Sequence, residues 1–187
     1  DKPILITFDD GYYNNLVYLK PLLEKYKMRA VISIVGNYID RYSALDDKNL
    51  NYAMLDWDDV RELAQCEYVE LQNHSYDLHA EKGRKGASRK KGETVEAYQK
   101  ILENDLSKMQ QLLKENCGIE ATTFTYPLGQ ISPESEEVIK KMGFQASLSC
   151  YERMNTITSD PECLYQLNRY NRSGKISTEV FMKEKGL

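Results

Sequence analysis

The sequence predicts an α/β fold on a mainly parallel sheet. Short apolar, β-favouring runs alternate along the chain with stretches of helical periodicity, the pattern of successive β-α units. An acidic pair, Asp9-Asp10, also closes the first apolar run, at the strand end where parallel folds gather their functional groups. At 187 residues the chain is long enough for one domain with a real core and too short for two comfortable ones, so 1–187 is read as a single domain.

The elements follow in chain order. A strand over 4–8 starts from the apolar run Ile4-Leu5-Ile6 and leads into the Asp9-Asp10-Gly11 turn. A helix over 21–26 carries Leu22, Leu23 and Tyr26 at helical spacing, with Pro21 at a first position that tolerates it. A second strand is expected over 30–35. Asp56 can cap a helix through Leu63, with Asp59 three residues on where the helix dipole favours a carboxylate and Trp57 as a packing residue at its start.

Val69 and Leu71 alternate within a third strand over 68–72. Residues 80–93 are rich in glycine, lysine and arginine and lack apolar periodicity, so they read as a mobile, solvated loop. A long helix over 95–114 is expected to bury Ala97, Ile101, Leu102, Leu106, Met109, Leu112 and Leu113, with Gly118 just past its end. After a strand over 122–126, a helix begins with Ser132 as cap and Pro133 at its first position and ends at Gly143. Strands over 144–149 and 164–167 complete the pattern.

Composition narrows the function. A formal net charge of −4 gives no basic field for nucleic acid. No apolar run approaches the roughly 18 to 20 residues that span a bilayer, and no signal or anchor is visible, although the chain opens almost directly on its first strand. The four cysteines contain no Cys-x-x-Cys pair, which speaks against a zinc ribbon. They are read as separate thiols packed as small hydrophobes, with a Cys150–Cys163 bridge open in an oxidising compartment.

The only two histidines, His74 and His79, lie five apart. On a helix they would stand roughly 140° apart and share no face. They follow a strand instead, where the backbone can fold both imidazoles onto one ion, and two imidazoles with a carboxylate suit a catalytic metal. Successive residues at a strand end point in different directions, so one member of Asp9-Asp10 can bind metal while the other faces substrate.

Thr-Phe-Asp-Asp-Gly at 7–11, Asn-His-Ser-Tyr-Asp-Leu-His at 73–79 and Phe-Thr-Tyr-Pro-Leu-Gly at 124–129 together resemble the first three motifs of the polysaccharide deacetylases, the NodB-homology or carbohydrate esterase 4 family. The resemblance implies a distorted, incomplete (β/α) barrel. It implies one divalent metal ion, zinc first with cobalt, nickel or manganese as alternatives, held by Asp10, His74 and His79. It makes Asp9 the general base, and it puts an oxyanion-binding backbone N–H at Tyr126 with Pro127 and Gly129 shaping the turn. The implied partner is an acetylated polysaccharide or oligosaccharide and the implied location extracytoplasmic.

Two departures stand out. The arginine that orients the catalytic aspartate in many members is missing ahead of Pro127, and Arg169 is the candidate replacement. No third histidine exists to act as general acid, so either Asp9 returns the proton it takes, or another group or water supplies it, or activity is low. The expected activity is removal of N-acetyl groups from N-acetylglucosamine units of a cell-wall or extracellular polysaccharide. An O-acetyl esterase on xylan-type glycans and a catalytically impaired carbohydrate-binding member stand as alternatives, and a metal-free α/β domain as a third.

Overall fold

Five strands of the computed structural model, which describes residues 3–80 and 82–186, form one parallel sheet in the order β1-β2-β3-β4-β5. They are β1 (Ile6–Asp10), β2 (Ala30–Ile34), β3 (Val69–Asn73), β4 (Thr123–Thr125) and β5 (Ala146–Leu148). Each crossover steps to the next strand in the same direction. Because such crossovers are right-handed, their helices collect on one face, and the twisted sheet curls away from them into a half-barrel.

The helices are α1 (Lys20–Tyr26), α2 (Gly36–Ser43), α3 (Trp57–Ala64), α4 (Val95–Cys117), α5 (Ser135–Lys141) and α6 (Thr178–Lys185). The expectation omitted α2 and α6, both of eight residues. In α3 the Asp56 cap forms as expected and becomes a reciprocal capping box with Asp59.

Strand alternation sorts the two faces. Ile32, Ile34, Leu71 and Phe124 pack with Leu102, Leu106 and Met109 in the core between sheet and helices. The concave face is polar: Ser33 and Thr125, both fully buried, join their hydroxyls at 2.7 Å.

Several expectations need correction. The α4 stripe runs through Tyr98, Leu102, Leu106, Met109 and Leu113, and Ile101 lies outside it at 41% exposure. A step of four from Tyr98 to Leu102 to Leu106 rotates Ala97 and Ile101 to the solvent edge. Ser132 does not cap α5, which begins at Ser135; its hydroxyl instead accepts the Arg89 N–H at 2.8 Å.

No sixth strand forms over 164–167. Pro161–Leu164 is a 3-10 turn, Gln166 has φ 57°, and only Leu167 reaches the sheet through a parallel bridge to Leu148. A left-handed residue cannot continue a ladder.

The basic loop is packed, apart from Glu81, which lies outside the described residues. Ala87 is fully buried and its carbonyl accepts the Tyr98 hydroxyl at 2.5 Å. Arg84 pairs with Glu93 and Arg89 with Glu134. A Cβ on Gly86 would clash with the Pro127 carbonyl oxygen, so the loop presses directly on the third motif. Partners from three other elements supply the order that local periodicity could not.

Candidate active site

β1 ends in the acidic pair. Asp9 faces the concave side, in register with Ser33, while Asp10 leaves the strand with φ 73°. The Arg169 guanidinium reaches Asp9 from the far end of the chain. Its Nη1 donates to Asp9 Oδ1 and its Nη2 to Oδ2, each at 2.7 Å. Nε donates to the Ser149 carbonyl at 2.8 Å and Nη1 also to Thr7 Oγ1 at 3.2 Å, which fixes the plane of the fork. Burial works against the charge on Arg169, and Asp9 outweighs it, so its pKa is raised. A bidentate arginine leaves each carboxylate oxygen one lone pair for another partner.

His74 is buried at the end of β3, where its Nδ1 lies 2.7 Å from the Thr125 carbonyl. A carbonyl only accepts, so Nδ1 carries the hydrogen and Nε2 keeps its lone pair. His79 obeys the same accounting. Tyr38 gives its hydroxyl proton to the His79 carbonyl at 3.1 Å, so His79 Nδ1–H donates to the Tyr38 oxygen at 3.2 Å and Nε2 is again free.

Both lone pairs turn towards Asp10 Oδ1, which lies 3.4 Å from His74 Nε2 and 3.1 Å from His79 Nε2. Among the described residues this buried oxygen has no hydrogen-bond partner. The three candidate donor atoms lie within 4.8 Å of one another.

Three converging lone pairs call for a cation, and the electrostatics agree. Burial alone would raise the Asp10 pKa, yet the two imidazoles, once protonated on Nε2, hold it well below the usual carboxylate range. Asp10 in turn raises the pKa of His79 through its close contact, against the opposing effect of burial. A proton would satisfy one of these pairs, whereas a divalent ion would satisfy all three atoms. Two imidazoles whose other N–H is already bonded, plus one carboxylate, fit such an ion well.

The third motif departs from expectation at Tyr126. Its side chain is fully buried, with its hydroxyl 2.9 Å from Ser135 Oγ, and its backbone N–H is spent on the Leu148 carbonyl at 2.9 Å. The Tyr126 N–H is therefore unavailable to an oxyanion, because it extends the β4–β5 ladder by one rung. Pro127–Gly129 forms a 3-10 turn beyond it, in which Leu128 has φ 57° and is 41% exposed. Among the described residues the Leu128 N–H has no hydrogen-bond partner. Pro127 is buried beneath the turn, and Gly129 packs on Cys150.

Sequence reasoning missed Tyr38 and Thr125, which bond the two imidazoles, and Leu128, whose N–H has no partner among the described residues. Tyr38 carries no local signal. Thr125 and Leu128 sit inside the third motif, where only strand register and turn geometry distinguish them. A cavity of about 290 Å³ opens beside His79, lined in part by Asn37, Tyr38, Arg41 and Asp77. All four cysteines are free thiols.

A family model described as polysaccharide deacetylase matches residues 1–147. Among curated proteins the chain is similar to a poly-beta-1,6-N-acetyl-D-glucosamine N-deacetylase of Escherichia coli, 25% identical over 166 residues, covering 77% of this chain and 24% of that protein. The chain therefore spans about a quarter of that relative's length. Among solved structures it resembles the BpsB deacetylase domain from Bordetella bronchiseptica, with TM-score 0.69, 25% identity and coverage of 89% and 70% of the two chains. It also shares the fold of IcaB from Ammonifex degensii, with TM-score 0.74, 20% identity and coverage of 97% and 71%.

Proposed function

The chain belongs to the polysaccharide deacetylase family, and on that premise we propose that it is a metal-dependent hydrolase removing N-acetyl groups from N-acetylglucosamine units of a polysaccharide. The observation that carries the reading is the convergence of Asp10 Oδ1, His74 Nε2 and His79 Nε2 on one point beside the Asp9–Arg169 pair. Asp10, His74 and His79 would hold one divalent ion, zinc by preference of the donor set. When bound, that ion supplies Lewis acidity towards water and the acetyl oxygen.

Asp9 takes the proton of the attacking water as general base. Arg169 holds both Asp9 oxygens, which orients the carboxylate. Protonated Asp9 then returns its proton to the leaving nitrogen as the C–N bond breaks and acetate departs. One carboxylate then serves both steps, which suits a chain without a third histidine. The Leu128 N–H, with no partner among the described residues, is the backbone donor for the developing oxyanion.

The cavity beside His79 presents Asn37, Arg41 and Asp77, polar side chains that suit sugar hydroxyls. The named relative, a poly-beta-1,6-N-acetyl-D-glucosamine N-deacetylase, supports that polymer as the first substrate to try and an extracytoplasmic site of action. No helix among the described residues is long and apolar enough to cross a membrane.

The test is acetate release from β-1,6-linked N-acetylglucosamine oligomers, with acetylated xylan in parallel. We expect release from the former, lost with chelator, restored by zinc and abolished by Asp9→Asn. Release from xylan alone would replace the amidase by an esterase, and no turnover with Asp9-independent glycan binding would leave a binding protein.

A further inference from the structure

The segment from His74 to His79 has no regular secondary structure, so its backbone donors must find partners one by one. The His74 N–H goes to the Ile34 carbonyl at 3.1 Å. The Ser75 N–H goes to Asn73 Oδ1 at 2.8 Å, and that of Leu78 to Ser75 Oγ at 3.2 Å. Those last two partners lie within or beside the segment. The two central donors are different: Tyr76 N–H and Asp77 N–H go to opposite oxygens of one carboxylate, Asp105 on α4, at 2.8 and 2.9 Å.

We infer that Asp105 is a positioning residue for the metal ligands: by pinning the centre of the segment to α4, it sets the separation of His74 and His79 and hence the affinity for metal. The inference rests on the proposed reading of those histidines. Asp105 makes no hydrogen bond or ion pair with either of them among the described residues.

The ends of the segment are held elsewhere, His74 through Thr125 on β4 and His79 through Tyr38 on α2. The centre is seated on two helices: α4 takes its N–H groups through Asp105, while its Ser75 and Tyr76 carbonyls accept the Gly36 and Asn37 N–H groups of α2 at 3.1 and 2.8 Å, and the fit is close. A Cβ on Gly36 would meet Tyr76 Cδ2 at 2.7 Å, Lys108 Nζ lies 3.4 Å from the centre of the Tyr76 ring, and the Tyr76 hydroxyl donates to Asp40 Oδ2 at 3.0 Å. Ser75 takes φ 75°, a conformation that a non-glycine residue keeps only when its surroundings impose it.

A carboxylate suits this role because it has two acceptors at the spacing of consecutive N–H groups. Asparagine would present one acceptor and an NH₂ against the second N–H, so one donor would lose its partner. Burial raises the Asp105 carboxyl, and the two N–H bonds oppose it.

The experiment measures zinc affinity by competition with a chromophoric chelator in wild type, Asp105→Asn, Asp105→Glu and Leu102→Ala. Leu102, one turn away on α4 and buried, reports simple loss of stability. Asp105→Asn is expected to weaken zinc binding tenfold or more, the range for residues that orient ligands. Asp105→Glu keeps the charge but displaces the oxygens by a methylene, and is expected to fall between.

Leu102→Ala should lower Tm at least as much yet bind zinc within twofold of wild type. In metal-free protein, the Tyr76 and Asp77 amides should exchange faster in Asp105→Asn, a change that Leu102→Ala should not single out. Zinc affinity within twofold of wild type in either folded Asp105 variant, or an equal loss in Leu102→Ala, overturns the inference while leaving the metal reading intact. A wild type that binds no zinc overturns both.

Discussion

Arg169 and Asp9, 160 positions apart, meet as a two-pronged pair with both N–O distances at 2.7 Å. The arginine that the third motif lacks is thus met in space by one from the last stretch of chain. Lysine cannot reproduce a planar fork. Arg169→Lys is therefore expected to lower kcat on the order of 10²-fold with little change in KM, since a misaligned base costs that much. The pair is partly exposed, so the loss of stability should be only about 1 kcal/mol. Steady-state kinetics and thermal melts check both, and an unchanged kcat would remove Arg169 from the proposed mechanism.

Tyr38 sets the tautomer of His79 through its oxygen. Tyr38→Phe leaves His79 Nδ1–H without that acceptor and should weaken zinc binding roughly tenfold. Circular dichroism should stay unchanged. Chelator competition measures the shift, and wild-type affinity in the variant would mean that water replaces the hydroxyl without cost.

The coupled charges of Asp10 and His79 give the metal-free protein a pH signature. The His79 pKa is raised above its ordinary 6.5, so its contribution to stability is complete below 6.5 and is lost as pH rises through the raised value. The Asp10 pKa is lowered from 3.8, so its contribution is present above 3.8 and is lost as pH falls through the lowered value. With chelator, this pair should contribute most between pH 3.8 and 6.5, and Tm should fall as pH rises beyond 6.5. His79→Gln should flatten that fall. With saturating zinc the trend should reverse, because protons compete with the ion for imidazole. Melts across pH with and without zinc read both slopes.

Gly86 lets the basic loop touch the third-motif turn. Gly86→Ala adds a Cβ against the backbone oxygen of Pro127 at a residue with φ 53°, and one of the two segments must move. The expected cost is about 1–3 kcal/mol by chemical denaturation. Because the displaced turn carries the Leu128 N–H, kcat should fall as well, about tenfold. A stability loss with unchanged kcat would detach that turn from catalysis.

The short range was legible in the sequence. Short apolar, β-favouring runs marked five strands to within two residues at each end, because strands covered on both faces of a parallel sheet read as near-continuous apolar runs. The Asp56 cap and the left-handed Gly118 that ends α4 were equally local. So were Asp9-Asp10 and the histidine pair, which sit at strand ends whose position follows from the strands themselves.

Whatever depended on a distant partner was decided only by the fold. Tyr126 N–H was assigned to an oxyanion although Leu148 on β5 already claims it, and no pattern near Tyr126 reveals that register. The loop over 80–93 read as solvated because its order comes from Tyr98, Pro127 and Glu134. Tyr38 and Asp105 reach the histidine segment from helices 41 and 28 residues away. Sequence periodicity encodes which face of an element is buried; it does not encode which side chain arrives there from another. The residue types for a metal and a base were therefore present in the sequence alone. The tautomers, the free Asp10 oxygen and the arginine fork exist only because the curled parallel sheet brings those strand ends together.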